Sequence, residues 1–335
     1  MSSNQNTPNP YFSVVIPLYN KEKEIKRAID SVLNQTFRDF ELIVVNDEST
    51  DNSLSVVESI QDSRITIISQ ENKGEFGARN TGIINSHAPY IAFLDGDDEW
   101  KPEYLETICS LTIKYPEAGL YCTSRANITD ENTIVYHHTS GFQEGDDGII
   151  PSPFGSFAND HLIPMTCSSS VIPKKVLEEL NLFPEVRGGG YDLACWGRIF
   201  ISYEVAYAAK TLVILHQEGE NRLNYVPSNM QLDEHPLTQM LHNLPTNIIE
   251  NYPHRKDIEN TIDYLGVILV GNWAGSGAKG RDIRRKISKI RNKRKYWKEV
   301  IYYLIISFIP VVGRDKVQYL ITKSYQLFIR ITKKE

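Results

Sequence analysis

Three aspartates crowd one short segment of the sequence, FLDGDDEW, at Asp95, Asp97 and Asp98. They follow the apolar run Tyr90–Leu94, whose composition is typical of a buried strand, so the carboxylates are expected where that strand ends. Crowded carboxylates repel one another unless a cation or hydrogen-bond donors compensate them, and oxygen ligands favour hard cations such as Mg²⁺ or Mn²⁺. The segment therefore predicts a divalent metal site that also binds a diphosphate. Spacing alone allows a second interpretation, an acidic turn in which Asp98 caps the following helix.

Three further residues have side chains suited to chemistry, and each has a simpler explanation when taken alone. Asp47, in VVNDEST, ends an apolar run and is otherwise read as an Asx-turn or helix cap. Arg79, in GEFGARNTG, has a guanidinium that pairs with phosphate oxygens in a bidentate way, or it is an ordinary surface arginine of a helix. His216, in VILHQEGENR, follows a predicted strand, and a lone histidine is more often structural.

Alternating β-rich and helical patterns position these residues. The predicted strands are Phe12–Ile16, Phe40–Val45, Ile65–Ile68 and Tyr90–Leu94, and the predicted helices between them are 21–34, 52–60 and 75–86. This alternation predicts an α/β fold with a Rossmann-like, doubly wound and mostly parallel sheet. Ligands of such sheets bind beyond the carboxyl ends of the strands, which here carry Pro17–Asn20, Asn46–Asp47 and Asp95–Asp98.

The rest of the chain has weaker patterns. Residues 119–172 are predicted to be irregular, with short strands and loops, and 141–160 is predicted to be a mobile loop over the site because it is rich in Gly, Pro, Asp and Ser. A helix is predicted at 192–202, and strands are predicted near 204–208 and 211–215. Beyond about residue 225 the pattern becomes helical.

Composition limits the class of protein. The chain has 335 residues, 41% of them hydrophobic and 23% charged, with a net charge of −6. These values predict a globular protein and argue against nucleic acid as a partner. Its 4 cysteines form no CxxC pair, which argues against a zinc or dithiol site and favours a reduced, cytoplasmic setting. The polar start MSSNQNTPNP predicts a disordered tail over 1–10 rather than a signal peptide.

The C-terminal part is strongly basic. The run KGRDIRRKISKIRNKRK begins at residue 279 and is followed by YWKEVIYYLIISFIPVVG, whose apolar part is shorter than the ~20 residues that span a bilayer. Basic residues beside an apolar, aromatic segment with Trp297, Tyr302 and Tyr303 predict peripheral attachment to a membrane surface through 279–320. The alternative is a helical hairpin that packs on the body of the protein with a solvated charged face.

A longer stretch resembles a known family. The string FSVVIPLYNKEKEIKRAIDSVLNQTFRDFELIVVNDESTDNS is similar to the opening of glycosyltransferase family 2 enzymes, which have the GT-A fold. ENKGEFGARNTGI and YIAFLDGDDEWKPEYLE follow in the order and spacing of that family, and the similarity is densest over 11–110 and thinner to 222. The resemblance implies an inverting transfer of a sugar from a nucleoside-diphosphate sugar, with UDP as the first expectation, to an acceptor hydroxyl.

The same resemblance implies roles for individual residues. It gives donor contacts to Pro17, Tyr19 and Asn20 for the nucleoside, Asp47 for the base, Arg79 beside the base and diphosphate, and Asp98 for the sugar pocket. Asp95 and Asp97 match the DxD pair that holds Mn²⁺ or Mg²⁺, with Asp97 as the more direct ligand. His216 matches a histidine that some members use near the diphosphate or metal, and Arg222 lies on the same loop.

The segment GGGYDLACWGRI resembles the part of the family that carries the general base. Asp192 takes the position of the base, and the resemblance extends to Trp196 and Arg198. Two residues depart from the family: Tyr191 stands where a glutamate is usual, and Glu48 stands where a glycine usually follows Asp47. If Asp192 is not a base, it is expected to cap the predicted helix 192–202.

These features predict a catalytic domain over 11–222, with a nucleotide-binding half over 11–110 and an acceptor half over 111–222. A helical region over 223–278 and membrane-associating helices over 279–335 follow. The expected acceptor is a saccharide, lipid-linked and used in surface polysaccharide synthesis on the inner face of the cell membrane. One alternative is a nucleotidyltransferase, although YNKEKEIK lacks the glycines of its phosphate loop. The other is an inactive nucleotide-binding or membrane scaffold protein, which the change at Tyr191 motivates.

Overall fold

The computed structural model describes residues 9–128, 134–160, 163–185, 189–216, 234–275, 280–290 and 295–296. The strands within them are β1 (Phe12–Leu18), β2 (Phe40–Asp47), β3 (Ile65–Gln70), β4 (Tyr90–Phe93), β5 (Glu99–Trp100), β6 (Leu120–Ile128), β7 (Ile134–His137), β8 (Asp147–Ile149), β9 (Ser170–Pro173) and β10 (Val205–His216). They form one mixed sheet in the order β3-β2-β1-β4-β9-β6-β10-β5, with β7 beside β6 and β8 beside β10.

The helices lie between and after these strands. They are α1 (Ile25–Leu33), α2 (Ser53–Glu58), α3 (Gly74–Ile84), α4 (Tyr104–Lys114), α5 (Pro153–Asp160), α6 (Lys174–Glu179), α7 (Tyr191–Ser202), α8 (Pro236–Asn243), α9 (Thr246–Asn251), α10 (Arg255–Gly275) and α11 (Gly280–Lys289). A short 3-10 helix, Cys167–Ser169, precedes β9. The predicted α/β fold is therefore confirmed, and each strand and helix predicted in the first third is present within a few residues.

The position of the site follows from the sheet order. β1 pairs in parallel with β2 on one side and with β4 on the other, and β2 pairs in parallel with β3. The strand order reverses at β1, so the loops that follow β1 and β4 flank a crevice at the carboxyl edge of the sheet. Every residue of β1 is buried, as its continuous apolar run predicts for a strand covered by helices on both faces.

The short strands predicted within 119–172 are present, whereas the prediction of a loop over 141–160 was wrong. The region contains β6, β7, β8, α5 and β9, and α5 occupies the second half of the predicted loop. The Gly, Pro and Ser content suggested a loop, but Pro153 is the first residue of α5, where proline is well tolerated. Phe154, Phe157 and Ala158 then follow at helical spacing and are buried in the core.

The two strands predicted at 204–208 and 211–215 are one strand, β10. Its pairing with β6 shifts register between Ala208 and Thr211 and again before Val213. The polar interruption in the sequence therefore marks an irregularity within a strand rather than a turn between two strands.

The C-terminal helices pack on the body of the protein. α11 contacts α10, which in turn contacts α5. Ile283, Ile287 and Ile290, from the basic segment, are buried, and Tyr296 is 1% exposed, with its hydroxyl donating to the carbonyl of Asn260 at 3.0 Å. For α11 the packed alternative therefore applies, since its isoleucines contact protein. In the described part of the chain, no helix is long and apolar enough to cross a membrane.

Some predictions fall on residues that the structure does not describe. Trp297, Tyr302, Tyr303 and most of 279–335 lie outside the described residues. The same holds for residues 1–8 of the predicted tail and for Arg222.

Candidate active site

The acidic segment forms a tight turn after β4. The amide of Asp98 donates to the carbonyl of Asp95 at 3.1 Å. Ser168, from the 3-10 helix, accepts a hydrogen bond from the amide of Asp95 at 3.1 Å and donates its own to Asp98 Oδ2 at 2.6 Å. Ser168 thus fixes the turn from the segment that precedes β9, and no signal in the segment TCSSS pointed to it.

Each carboxylate of the DxD pair contacts a cation. Lys21 Nζ lies 2.9 Å from Asp97 Oδ2, with side chains that are only 12% and 10% exposed. Arg27, on α1, donates to the carbonyl of Asp97 at 2.7 Å. Arg79 donates to Asp95. Sequence reasoning missed Lys21 and Arg27, because basic residues early in an amphipathic helix look like ordinary surface charges.

Arg79 is the most buried charged group of the site, at 1% exposure. Its guanidinium donates to Glu75 one turn earlier on α3, to Asp95, and to the hydroxyl of Tyr191 on α7. The predicted surface-arginine alternative is therefore wrong. Burial raises the pKa of Asp95 above its ordinary value, and the nearby carboxylate of Glu75 adds to this, while Arg79 opposes it.

Asp47 lies at the end of β2 and is 2% exposed. Its Oδ1 accepts hydrogen bonds from Gln70 Nε2 at 2.7 Å and from the amide of Lys73 at 2.9 Å, and its Oδ2 accepts from the amide of Gly74 at 2.9 Å. The carboxylate thus caps the N-terminus of α3, the helix that carries Arg79. In this structure Asp47 has the role of a helix cap, and contact with the base stays a prediction.

The loop after β1 is tied to the loop after β2. Asn20 has a φ of 51°, and its Oδ1 accepts a hydrogen bond from the amide of Thr50 at 2.8 Å. Its own amide donates to Ser49 Oγ at 3.2 Å. Pro17 is buried within β1, and Tyr19 is 44% exposed. An exposed aromatic ring beside this crevice is suited to stacking on a nucleoside base.

Asp192 is the second residue of α7 and is 9% exposed. Its neighbour Tyr191 accepts a hydrogen bond from Arg79, which also donates to Asp95 of the acidic turn. Burial raises the pKa of the Cys167 thiol well above its usual range, Arg79 opposes the shift, and the carboxylates of Asp95 and Asp192 add to it. The structure therefore brings the predicted base into the neighbourhood of Asp95 and Arg79.

The other predicted residues lie further out. His216 ends β10, and its Nε2 is 3.4 Å from Glu99 Oε1, so it borders the acidic turn through the residue that follows Asp98. This contact lowers the pKa of Glu99. Trp196 belongs to the hydrophobic core, and Arg198 donates to the carbonyl of Leu180 at 2.8 Å. Both of these side chains serve packing in this structure.

The oxygen atoms of the acidic turn are suited to bind a hard cation whose other ligands come from the substrate. Among the described residues, no group of three or more His, Cys, Asp and Glu side chains could hold a metal by itself. Asp95 and Asp97 supply carboxylate oxygens, which are the ligands that Mg²⁺ and Mn²⁺ prefer. The remaining ligands of an ion at this turn would have to come from a diphosphate and from water.

Comparison with known proteins settles the family. The family model for glycosyl transferase family 2 matches residues 13–180, which is half of the chain. The chain belongs to glycosyltransferase family 2. The resemblance of the N-terminal motifs is thereby confirmed, and membership favours sugar transfer over nucleotidyl transfer.

Several relatives share part of the chain. Glycosyltransferase GlyA of Streptococcus pneumoniae is 35% identical over 131 residues, which cover 38% of this chain and 19% of GlyA. WfgD of Escherichia coli, a UDP-Glc:alpha-D-GlcNAc-diphosphoundecaprenol beta-1,3-glucosyltransferase, is 40% identical over 124 residues, which cover 37% of this chain and 48% of WfgD. The succinoglycan biosynthesis protein ExoW of Rhizobium meliloti is 39% identical over 131 residues, 37% of this chain and 40% of ExoW. The chain spans less than half the length of each of these relatives.

Solved structures show the same fold over most of the chain. S. aureus TarS 1-349, in complex with UDP-GlcNAc, aligns with a TM-score of 0.59 and covers 88% of this chain and 90% of TarS 1-349 at 15% identity. The complex of the same protein with UDP aligns with a TM-score of 0.60. At this identity the likeness shows the fold, which is GT-A-like.

Proposed function

We propose that this protein is an inverting, metal-dependent glycosyltransferase that moves a sugar from a UDP-sugar to a hydroxyl of a lipid-linked saccharide. The observation that carries the proposal is one contact: Arg79 donates both to Asp95 of the acidic turn and to Tyr191, the neighbour of Asp192. One buried side chain thus joins the turn suited to bind a nucleoside-diphosphate sugar to the residue beside the group suited to take a proton.

In the proposed reaction, Asp192 takes the proton of the acceptor hydroxyl as that oxygen attacks the anomeric carbon. Asp97 and Asp95 would hold the divalent ion, which supplies charge neutralisation for the departing diphosphate. Ser168 keeps the acidic turn in place, and Lys21 and Arg27 lower the cost of gathering its carboxylates. Tyr19 and Asn20 would contact the nucleoside at the crevice beside β1.

The charges of the site support binding of the sugar donor together with a divalent cation. Among the described residues, six carboxylates lie in or beside the turn, and three basic side chains balance them; they are Glu75, Asp95, Asp97, Asp98, Glu99 and Asp192, against Lys21, Arg27 and Arg79. A diphosphate adds further negative charge. Without a divalent ion, these like charges would repel the donor.

The relatives suggest the substrates. WfgD carries a UDP-Glc donor and a diphosphoundecaprenol-linked acceptor in its name, and ExoW is named for succinoglycan biosynthesis. TarS was solved with UDP-GlcNAc. A UDP-sugar donor and a lipid-linked saccharide acceptor in cell-surface polysaccharide synthesis are therefore the first substrates to test.

The test combines donor binding and transfer with three variants. UDP-, GDP- and dTDP-sugars are titrated with and without Mn²⁺, and transfer is measured to undecaprenyl-diphosphate saccharides and to free saccharides. Asp97→Asn is expected to lose Mn²⁺-dependent donor binding. Asp192→Asn should bind the donor normally and lose about 10²- to 10⁴-fold in kcat. Asp39→Asn, at an exposed aspartate, is the control.

Two outcomes would contradict the proposal. Donor binding that needs no metal and is unchanged in Asp97→Asn would make the acidic turn a structural feature. Donor binding without transfer to any acceptor would favour the alternative of an inactive nucleotide-binding protein.

A further inference from the structure

The residues that lead into helix α7 are glycines, so they offer no side chain that could fix the position of its first turn. Gly189 and Gly190 precede Tyr191, with φ values of 89° and 81°. The ring of His235 lies against Gly190, in the space that a β-carbon at 190 would fill. Tyr191 is therefore the first residue of this turn whose side chain can fix the position of Asp192.

Tyr191 reaches across the site with its hydroxyl. Only 7% of the residue is exposed, and its ring packs near Phe76 and Phe183, with centroids 5.9 Å and 6.1 Å away. The hydroxyl accepts a hydrogen bond from Arg79, whose guanidinium carbon lies 5.6 Å from the centre of the Tyr191 ring. Burial raises the pKa of Tyr191 well above its usual range, so the phenol stays neutral.

Arg79 in turn is fixed from two other sides. Glu75 holds the guanidinium from within α3, and Asp95 holds it from the acidic turn. Because the guanidinium is rigid and planar, its contacts on one edge constrain those on another. A displacement of the acidic turn is therefore passed to Tyr191 and to the first turn of α7.

We propose that Tyr191 is a positioning residue which, through Arg79, sets the distance between the acidic turn and Asp192. This inference rests on the proposed function and deepens it: the residue that replaces the usual glutamate keeps the site connected without adding a negative charge. The contacts of Arg79 with Asp95 and with Tyr191 then keep the donor site at a fixed distance from Asp192.

Tyr191→Phe tests the proposal because it removes only the hydroxyl. We expect kcat to fall about 10- to 100-fold, as small misplacements of a reacting group cause, while the donor KM stays within about twofold. Tyr203→Phe is the matched control, since the hydroxyl of Tyr203 donates to Glu179 just beyond the other end of α7. It should leave kcat and KM unchanged.

A second measurement needs no catalysis. In a double-mutant cycle of Tyr191→Phe with Asp95→Asn, the shifts in the thermal unfolding midpoint should be non-additive, because both side chains act on the same guanidinium. Additive shifts, an unchanged kcat in Tyr191→Phe, or a raised donor KM with unchanged kcat would each overturn the proposal. If the wild-type protein transfers no sugar, the proposed function fails, and the unfolding cycle alone decides whether the link exists.

Discussion

His235 is a completely buried histidine at the N-terminus of α8, and its burial has a consequence for acid stability. Its Nδ1 accepts a hydrogen bond from the amide of Leu237 at 3.2 Å, which requires that this nitrogen carry no proton. Burial lowers its pKa to about 4. The folded protein therefore holds His235 neutral over a range of pH in which the unfolded chain protonates it.

The sign of the pH effect follows from this difference. Between pH ~6.5, the ordinary value, and pH ~4, the unfolded state binds more protons, so the free energy of unfolding falls as the pH falls. We expect His235 to account for a loss of about 2 kcal/mol between pH 7 and pH 4.5. The measurement is urea unfolding at several pH values for wild type and His235→Gln, whose slope against pH should be shallower.

His242→Gln, at an exposed position of the same helix, is the control for the loss of a histidine. If the wild-type protein and His235→Gln lose stability in parallel on acidification, His235 is protonated in the folded protein and the prediction is wrong.

For individual residues, the sequence predicted position along the chain better than hydrogen-bond partners. The position of Asp47 at a strand end was visible in the sequence, but its capping of α3 depends on a segment more than 20 residues later that only the folded chain brings near. Glu48 adopts a φ of 62°, the left-handed conformation that its glycine counterpart reaches without strain. Glu48 thus carries a local conformational cost that glycine would not have.

Among the elements, α3 matters most for the site because it carries Glu75 and Arg79. It packs closely on β1 at Gly82. A β-carbon at this glycine would lie 2.3 Å from Val15 Cγ1 and 2.9 Å from Val15 Cγ2. Val15 is fully buried inside the sheet and cannot turn away. A larger residue at 82 must therefore lift the helix from the sheet.

Gly82→Ala is expected to destabilise the protein by about 1–3 kcal/mol through overpacking, even though alanine favours helix formation by ~1 kcal/mol over glycine. The lifted helix would also displace Arg79, so kcat should fall together with stability. Unfolding free energies and initial rates check both effects. Ile84→Ala, at a 66% exposed position of α3, should change neither. A Gly82→Ala protein as stable as wild type would show that the helix has room at this point.

Prediction of the elements succeeded where hydrophobic periodicity is strong and failed where composition misled. In α1, Ile25, Ala28, Ile29 and Val32 are buried, as the spacing of these residues predicts. In contrast, α5 is rich in small and turn-forming residues, and its helical state depends on burial of Phe154 and Phe157 in the core of the folded protein. Tertiary contacts of this kind leave little trace in local sequence.

At the scale of the whole molecule, the packing of the basic C-terminal segment limits how it can contact a membrane. Packing of α11 removes its isoleucines from contact with lipid, since Ile283 and Ile287 are buried. Arg285 and Lys289 on the same helix are exposed. Within α11, any membrane contact must then be electrostatic, and it would hold the protein beside the lipid-linked acceptor that we propose.

We therefore predict that the full chain binds vesicles containing anionic lipid, that it binds neutral vesicles weakly, and that added salt reduces the binding.

Because each basic residue near an anionic surface contributes about 1 kcal/mol, Arg285→Gln with Lys289→Gln should lower the partition constant by roughly 30-fold in vesicle flotation. Lys26→Gln with Lys175→Gln removes the same charge at exposed positions of α1 and α6, and it should have little effect. An equal loss in both double variants would indicate a response to net charge alone. If the wild-type protein does not bind anionic vesicles, the prediction of membrane attachment is wrong, whereas the proposed role of Asp97 is unaffected.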